Sequence, residues 1–233
     1  MSHFGVLVIH DENTDIEELL APYEESLKVA PYQVFTRQEA IDFVRKKYPK
    51  FKKSTDEECW NYLAEHYEAD KDGNLFDDSN PNAKWDYWDT EEEWLNILRL
   101  KNGEMVNSAK LKDIDFSSDP EEYQRALRFW DIVVEDKPLK PGEEKGLPMY
   151  YWKPEVYKEL YGDRETFAKL KSSFTTFAVI TPNGIWHEPG TMGWWAMDNG
   201  TPESHYKWER DFYKNFIEGE NEEMIFTMVD CHI

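Results

Sequence analysis

Three groups of residues in this 233-residue chain have types and spacing that could do chemistry. The run Met224 to Cys231 (MIFTMVDC) reads as a β-strand, and it leads into Asp230-Cys231-His232. A period of two puts Asp230 and His232 on one face of that strand and Cys231 on the other. If the strand predicted at Phe4 to Ile9 (FGVLVI) lies beside it, His3 or His10 can approach. Two imidazoles and one carboxylate suit a divalent metal ion, and the candidate metal ligands are His3, Asp230 and His232. The competing expectation is a polar strand end without a ligand.

The second group is Lys84-Trp85-Asp86-Tyr87-Trp88 with Trp94 beyond it, and the third runs from Trp186 to Trp195 (WHEPGTMGWW). Aromatic faces beside one cation and one carboxylate are what a pocket for a planar polar ligand needs, although they also describe the wet edge of a core. In the third stretch Pro189, Gly190 and Gly193 impose a non-repetitive backbone beside three tryptophans. The candidate ligand-binding residues are Lys84, Trp85, Asp86, Trp88, Trp94, Trp186, His187, Glu188, Trp194 and Trp195. His187 is the candidate general base if the chain is an enzyme, against the commoner role of a hydrogen-bonded structural histidine. HEPG is not HExxH, so the zinc-protease reading fails.

Other patterns favour bland readings. Glu68-x-Asp70-x-Asp72-Gly73 resembles the start of a calcium loop, but Ser79 stands where a bidentate glutamate belongs, so an acidic turn is expected. Arg45 to Lys53 holds six basic residues in nine, which suits a helix C-terminus facing the acidic block that follows. P-loop, dinucleotide-binding, hydrolase-elbow and zinc-pair signatures are absent from the sequence.

The elements that would position these groups follow from caps and periodicity. Thr36 with Glu39 and Thr55 with Glu58 are capping boxes that open helices. Asp119-Pro120-Glu121-Glu122 opens another, with Tyr123, Leu127, Trp130 and Val134 on one face, and Thr201-Pro202-Glu203 opens a last helix that Gly219 stops. Short helices are expected near 154–161 and 165–171, a strand at 175–180, and a two-residue primed turn at Asn102-Gly103. Glu68 to Trp94 reads as an ordered loop leading into a short tryptophan-bearing element, and Lys137 to Pro148 as a linker. The order predicts one α+β domain over 1–233, with a mixed or antiparallel sheet and packed helices. About 1–50 and 150–233 form it, and a helical, loop-rich insertion occupies about 50–150.

Composition narrows the function. The net charge is −21, which opposes binding to nucleic acid or anionic membrane, and 36 aromatic residues (10 Trp, 13 Tyr, 13 Phe) require a folded core. Charge is unevenly placed: 37–53 carries seven basic and two acidic residues, 54–93 fourteen acidic and two basic. With two cysteines at no metal or disulfide spacing, no apolar run long enough to span a membrane and no export signal, a cytoplasmic setting is expected.

The strings HFGVLVI, LAPYEE, DGNLF, NPNAKWDYW, TPNGIWHEPGTMGWW and VDCHI together resemble a family of phage- and prophage-encoded proteins without assigned function, from His3 to Ile233. In that family the tryptophan matching Trp94 follows Gly-Gly-Arg. Here Glu91-Glu92-Glu93 precede it, which replaces a candidate anion-binding arginine by a carboxylate. The resemblance implies the cytoplasm of a bacterial host and an accessory, counter-defence role. The function expected is sequestration of a small nucleotide-like host ligand in an aromatic pocket. Two alternatives stand beside it: a metal-dependent hydrolase acting on such a ligand, and an acidic nucleic-acid mimic that binds a host protein. No cofactor is expected, with a divalent metal ion as the alternative; the expected partner is a small molecule or a host protein, with no nucleic acid and no membrane.

Overall fold

The computed structural model describes residues 2–140, 152–193 and 197–233. In chain order its elements are β1 (His3–His10), α1 (Ile16–Leu20), β2 (Lys28–Phe35), α2 (Arg37–Lys47), α3 (Asp56–Ala64), β3 (Glu68–Ala69), β4 (Leu75–Ser79), β5 (Tyr87–Asp89), β6 (Leu98–Arg99), β7 (Met105–Val106), β8 (Ser108–Lys110), α4 (Pro120–Phe129), α5 (Pro154–Tyr161), α6 (Arg164–Lys171), β9 (Ala178–Ile180), β10 (Trp186–His187), α7 (Pro202–Phe216) and β11 (Ile225–His232). The fold is α+β, with one mixed sheet and smaller antiparallel ones. Among the described residues no helix is long and apolar enough to cross a membrane.

Helix starts follow from their caps. Both capping boxes form at Thr36 and Thr55, opening α2 and α3, and the Asp119 carboxylate accepts the amides of Glu121 and Glu122 to open α4. Each such cap is worth about 1 kcal/mol. The far end of α4 departs from the expected straight helix. At Trp130–Val134 it widens into a π-helical turn, closed by the Glu135 amide on the Trp130 carbonyl. The wider turn buries Trp130, Val133 and Val134 together with Tyr157, Tyr161 and Phe167, and leaves Asp131 to two nitrogens of Arg164, each at 2.9 Å.

The expected hairpin forms from β6 and β7, but with a different turn. Leu100 and Glu104 still pair, so Lys101, Asn102 and Gly103 make a three-residue loop with Gly103 at φ 89°. A type I turn followed by a left-handed glycine is the second common hairpin solution, and glycine is required there.

The chain divides into two compact units, residues 1–21 with 84–233, and residues 22–83. The sequence places an insertion at about 50–150; the division falls instead after 21 and after 83. The acidic block is thereby split, 54–83 in one unit and 84–93 in the other.

In the 22–83 unit, α2 and α3 pack on an antiparallel sheet in the order β2-β4-β3, around Ala40, Ile41, Val44, Cys59, Leu63 and Leu75. β3 and β4 fall where the sequence reads as loop, because strands this short and acidic carry no alternating apolar signal. The calcium-like segment is the acidic turn expected of it: one Asp70 oxygen accepts the Asp72 and Asn74 amides and the other the Asn74 side chain. The basic stretch packs against its own unit, with Lys47 over the Phe43 ring and Lys50 over those of Phe51 and Tyr62.

In the larger unit the mixed sheet has the order β10-β9-β1-β11-β5, and β8 also pairs with β11. β1 and β9 are parallel, and the other pairs are antiparallel. One sheet face carries Leu7, Ile9, Val179, Phe226 and Met228, covered by Phe212 and Phe216 of α7 and by Leu95, Leu98, Leu111 and Ile114. The segment expected to be a linker, 137–148, lies outside the described residues from 141 onward.

Candidate metal centre

The pairing of β1 with β11 sets His3 opposite His232, Gly5 opposite Asp230 and Leu7 opposite Met228. On the other edge of β11, β5 sets Tyr87 opposite His232 and Asp89 opposite Asp230. Residues directly opposite one another share a face. Two rows therefore cross the three strands, Tyr87–His232–His3 and Asp89–Asp230–Gly5, on the face that continues into the core through Leu7 and Met228. The rings agree: His3 and His232 have centroids 3.9 Å apart, and Tyr87 meets His232 edge-on at 5.1 Å.

His3 Nδ1 stands 2.8 Å and His232 Nε2 3.2 Å from the same oxygen, Asp230 Oδ2. The three donor atoms all lie within 4.8 Å of one another. Donors of a tetrahedral ion at about 2.0–2.1 Å stand roughly 3.3 Å apart, so small side-chain rotations would complete such a set. Asp230 is fully buried, and its second oxygen, Oδ1, has no hydrogen-bond partner among the described residues. His232 is nearly buried, whereas the His3 side chain is 49% exposed, so the group opens to solvent on the His3 side. Gly5 leaves room for a neighbour: a Cβ there would meet the Trp94 ring at 3.5 Å and the Met228 methyl at 3.3 Å. Trp94 thus lies on this face, beside the Asp230 row.

The structure chooses between the two N-terminal histidines. His10 sits at the far end of β1 on the opposite face, its nitrogens 2.9 Å from the Asp11 carbonyl and 2.9 Å from the Thr227 hydroxyl. Cys231 also points to the opposite face, and burial, then the Asp230 charge, pushes its thiol well above the ordinary range. It remains a protonated, inert group.

The described aromatic candidates are divided between the two faces of the sheet. Lys84 donates to Glu188 Oε1 at 2.6 Å, the Thr191 hydroxyl to the same oxygen at 3.0 Å, and Trp186 Nε1 to Oε2 at 2.8 Å. Trp186 meets Phe4 edge-on, and Trp88 is opposite Cys231, so both tryptophans belong to the face away from His3. Trp94 lies on the other face. Trp85 is buried with its indole N–H on the Leu20 carbonyl at 3.2 Å, and the Asp86 amide bonds the His232 carbonyl at 3.0 Å, which ties β5 to the end of β11. Trp194 and Trp195 lie outside the described residues.

His187 stands too far from the metal ligands to serve them as the general base. It is paired with Val179, which is paired with Leu7, four residues along β1 from His3 and two strands over. That separation is roughly 13 Å along the strand and 10 Å across it. The ring packs on Phe216 at 5.3 Å, and burial lowers its pKa, as befits a neutral structural histidine.

Sequence reasoning missed Tyr87, Asp89 and Gly5 as neighbours of the ligands. Only the pairing of a three-residue strand brings the first two there, and no local motif marks it. The Glu91 amide and the Tyr87 hydroxyl, with a smaller contribution from His232, hold the Asp89 carboxyl below the usual range; the same contact raises the Tyr87 phenol. Two cavities lie elsewhere, one of about 680 Å³ beside Phe116, Tyr213 and Ile217, the other of about 270 Å³ beside His66, Tyr67 and Asp77.

Compared with protein-family models, curated proteins and solved structures, the chain matches none.

Proposed function

We propose that the protein is a metal-dependent hydrolase whose divalent ion is held by His3, Asp230 and His232. Asp230 carries this reading: a fully buried carboxylate with one oxygen unpartnered, beneath two imidazoles that can turn their lone pairs on a common point. An uncompensated buried carboxylate is costly, and a bound cation removes that cost. Three donors rather than the four of a closed structural site, with His3 half-exposed, favour a catalytic ion with an open side. Bound there, the ion would supply Lewis acidity towards a substrate oxygen and acidify a water. His3, Asp230 and His232 would orient it from two paired strands, a rigid support.

Sequestration of a nucleotide-like ligand between the tryptophan stretches has less support, because Lys84 is engaged by Glu188 and Trp94 and Trp186 lie on opposite faces. The setting we propose is the cytoplasm of an infected bacterium, on the motif resemblance to phage-encoded proteins alone, with a small molecule as the partner.

The test strips the purified protein with a chelator, titrates Zn²⁺, Mn²⁺, Co²⁺, Ni²⁺ and Fe²⁺ separately, and follows hydrolysis of an ester and amide panel. One ion per chain and turnover that chelation abolishes are expected. Failure of every one of these ions to bind stoichiometrically would sink the reading.

A further inference from the structure

Resting on that metal reading, we propose that the small molecule admitted to the open side of the centre is positively charged, an amine or guanidine, and that Asp89 selects it against anions. Asp89 is directly opposite Asp230 across β5 and β11, so two acidic residues occupy opposed positions on one face of the sheet. Like charges in directly opposed positions repel. One divalent ion compensates Asp230 and leaves Asp89, half-buried in the opposed position, with its charge intact.

The rest of the rim has the same sign. The charges that act on the Tyr87 hydroxyl are those of Asp89, Glu91 and Glu92, and the last two are exposed. Lys84, the nearest cation in sequence, is paired with Glu188. An anionic substrate would therefore meet the negative potential of Asp89, Glu91 and Glu92 on its approach to the ion. A cationic one finds a carboxylate in Asp89 and an aromatic surface in Trp94, which is 44% exposed. Asp89 is held for this task. The Glu91 amide satisfies one oxygen, and the Tyr87 hydroxyl bonds the other at 3.1 Å, so the carboxylate is fixed in orientation.

The experiment uses the full chain loaded with Co²⁺, whose visible spectrum reports ligand entry. Three probes share an imidazole and differ in charge: imidazole-4-butylamine, imidazole, and imidazole-4-butanoate. In low salt the expected affinity order is cationic, neutral, anionic. Each step is about fivefold to tenfold, the Coulomb effect of one charge at ~7 Å in a partly solvated site. Asp89→Asn should compress the order to within about twofold per step, and 0.5 M salt should compress it in the unaltered protein, a readout that does not depend on the variant folding. Equal or tighter binding of the butanoate by the unaltered protein overturns the proposal while leaving the metal reading intact. Absence of Co²⁺ uptake overturns the metal reading itself, and this proposal with it.

Discussion

Two carboxylates of the larger unit, Glu188 and Asp230, are both withdrawn from water and treated in opposite ways. Glu188 accepts from Lys84, Thr191 and Trp186, so both its oxygens are satisfied by the chain itself. Asp230 is more deeply buried, has both histidines on one oxygen, and no partner among the described residues on the other. A complete hydrogen-bond shell locks a structure, whereas an incomplete shell around a buried charge marks a place where something else binds. Both groups were candidate functional residues from sequence; the hydrogen-bond inventory separates them.

The contrast breaks most sharply on exchange of each acid for its amide. Asp230→Asn should lower metal affinity by at least 100-fold in a chelator-competition titration, since a neutral amide is a poor ligand. A change below threefold would remove Asp230 from the centre. Glu188→Gln should leave metal affinity within twofold and instead lower stability by roughly 2–4 kcal/mol, because Lys84 loses its partner in a partly buried site. For a unit of this size that is a melting shift of roughly 4–16 °C. An unchanged melting temperature would show that the Glu188 network is not structural.

A third carboxylate sharpens the comparison from the exposed end. Glu223 bonds Lys110 and Lys112, and these contacts hold its pKa at about 2. Its folded value lies below the unfolded one near 4.5, so its stabilising contribution is complete above pH 4.5 and is lost as pH falls through about 2. Glu223→Gln should flatten the acid limb of a stability-against-pH curve between those values and change nothing at pH 7 beyond a small offset, as solvent screens the pair. An unaltered acid limb would assign that limb to other groups. The smallest effect is expected at Gly5→Ala, whose new methyl would press on the flexible end of Met228 at 3.3 Å and touch Trp94 at 3.5 Å. Metal affinity should move less than threefold. A larger loss would mean that Trp94 seals the buried side of Asp230 more tightly than these distances indicate.

Much of the architecture was legible because its causes are local. Thr36 with Glu39, Thr55 with Glu58, and Asp119 with Pro120 each open a helix within one turn of chain, and each does so in the structure. Where the cause is tertiary no local signal exists. The π-helical turn at Trp130–Val134 answers to Tyr157 and Phe167, and β3, β4 and β5 exist because partners elsewhere complete their hydrogen bonds. The pairing of Lys84 with Glu188 spans 104 positions, beyond any spacing rule.

The candidate centre divides along the same line. Alternation along one strand, a property of the extended backbone alone, determined that Asp230 and His232 share a face and that Cys231 does not. Tertiary structure decided that His3 rather than His10 joins them, through a contact 227 residues apart, and that Asp89 and Tyr87 form the rim. Strand register is the physical reason. It is set by the packing of Leu7, Ile9, Phe226 and Met228 into one core, and a slip of one residue would have sent every donor on β1 to the other side of the sheet.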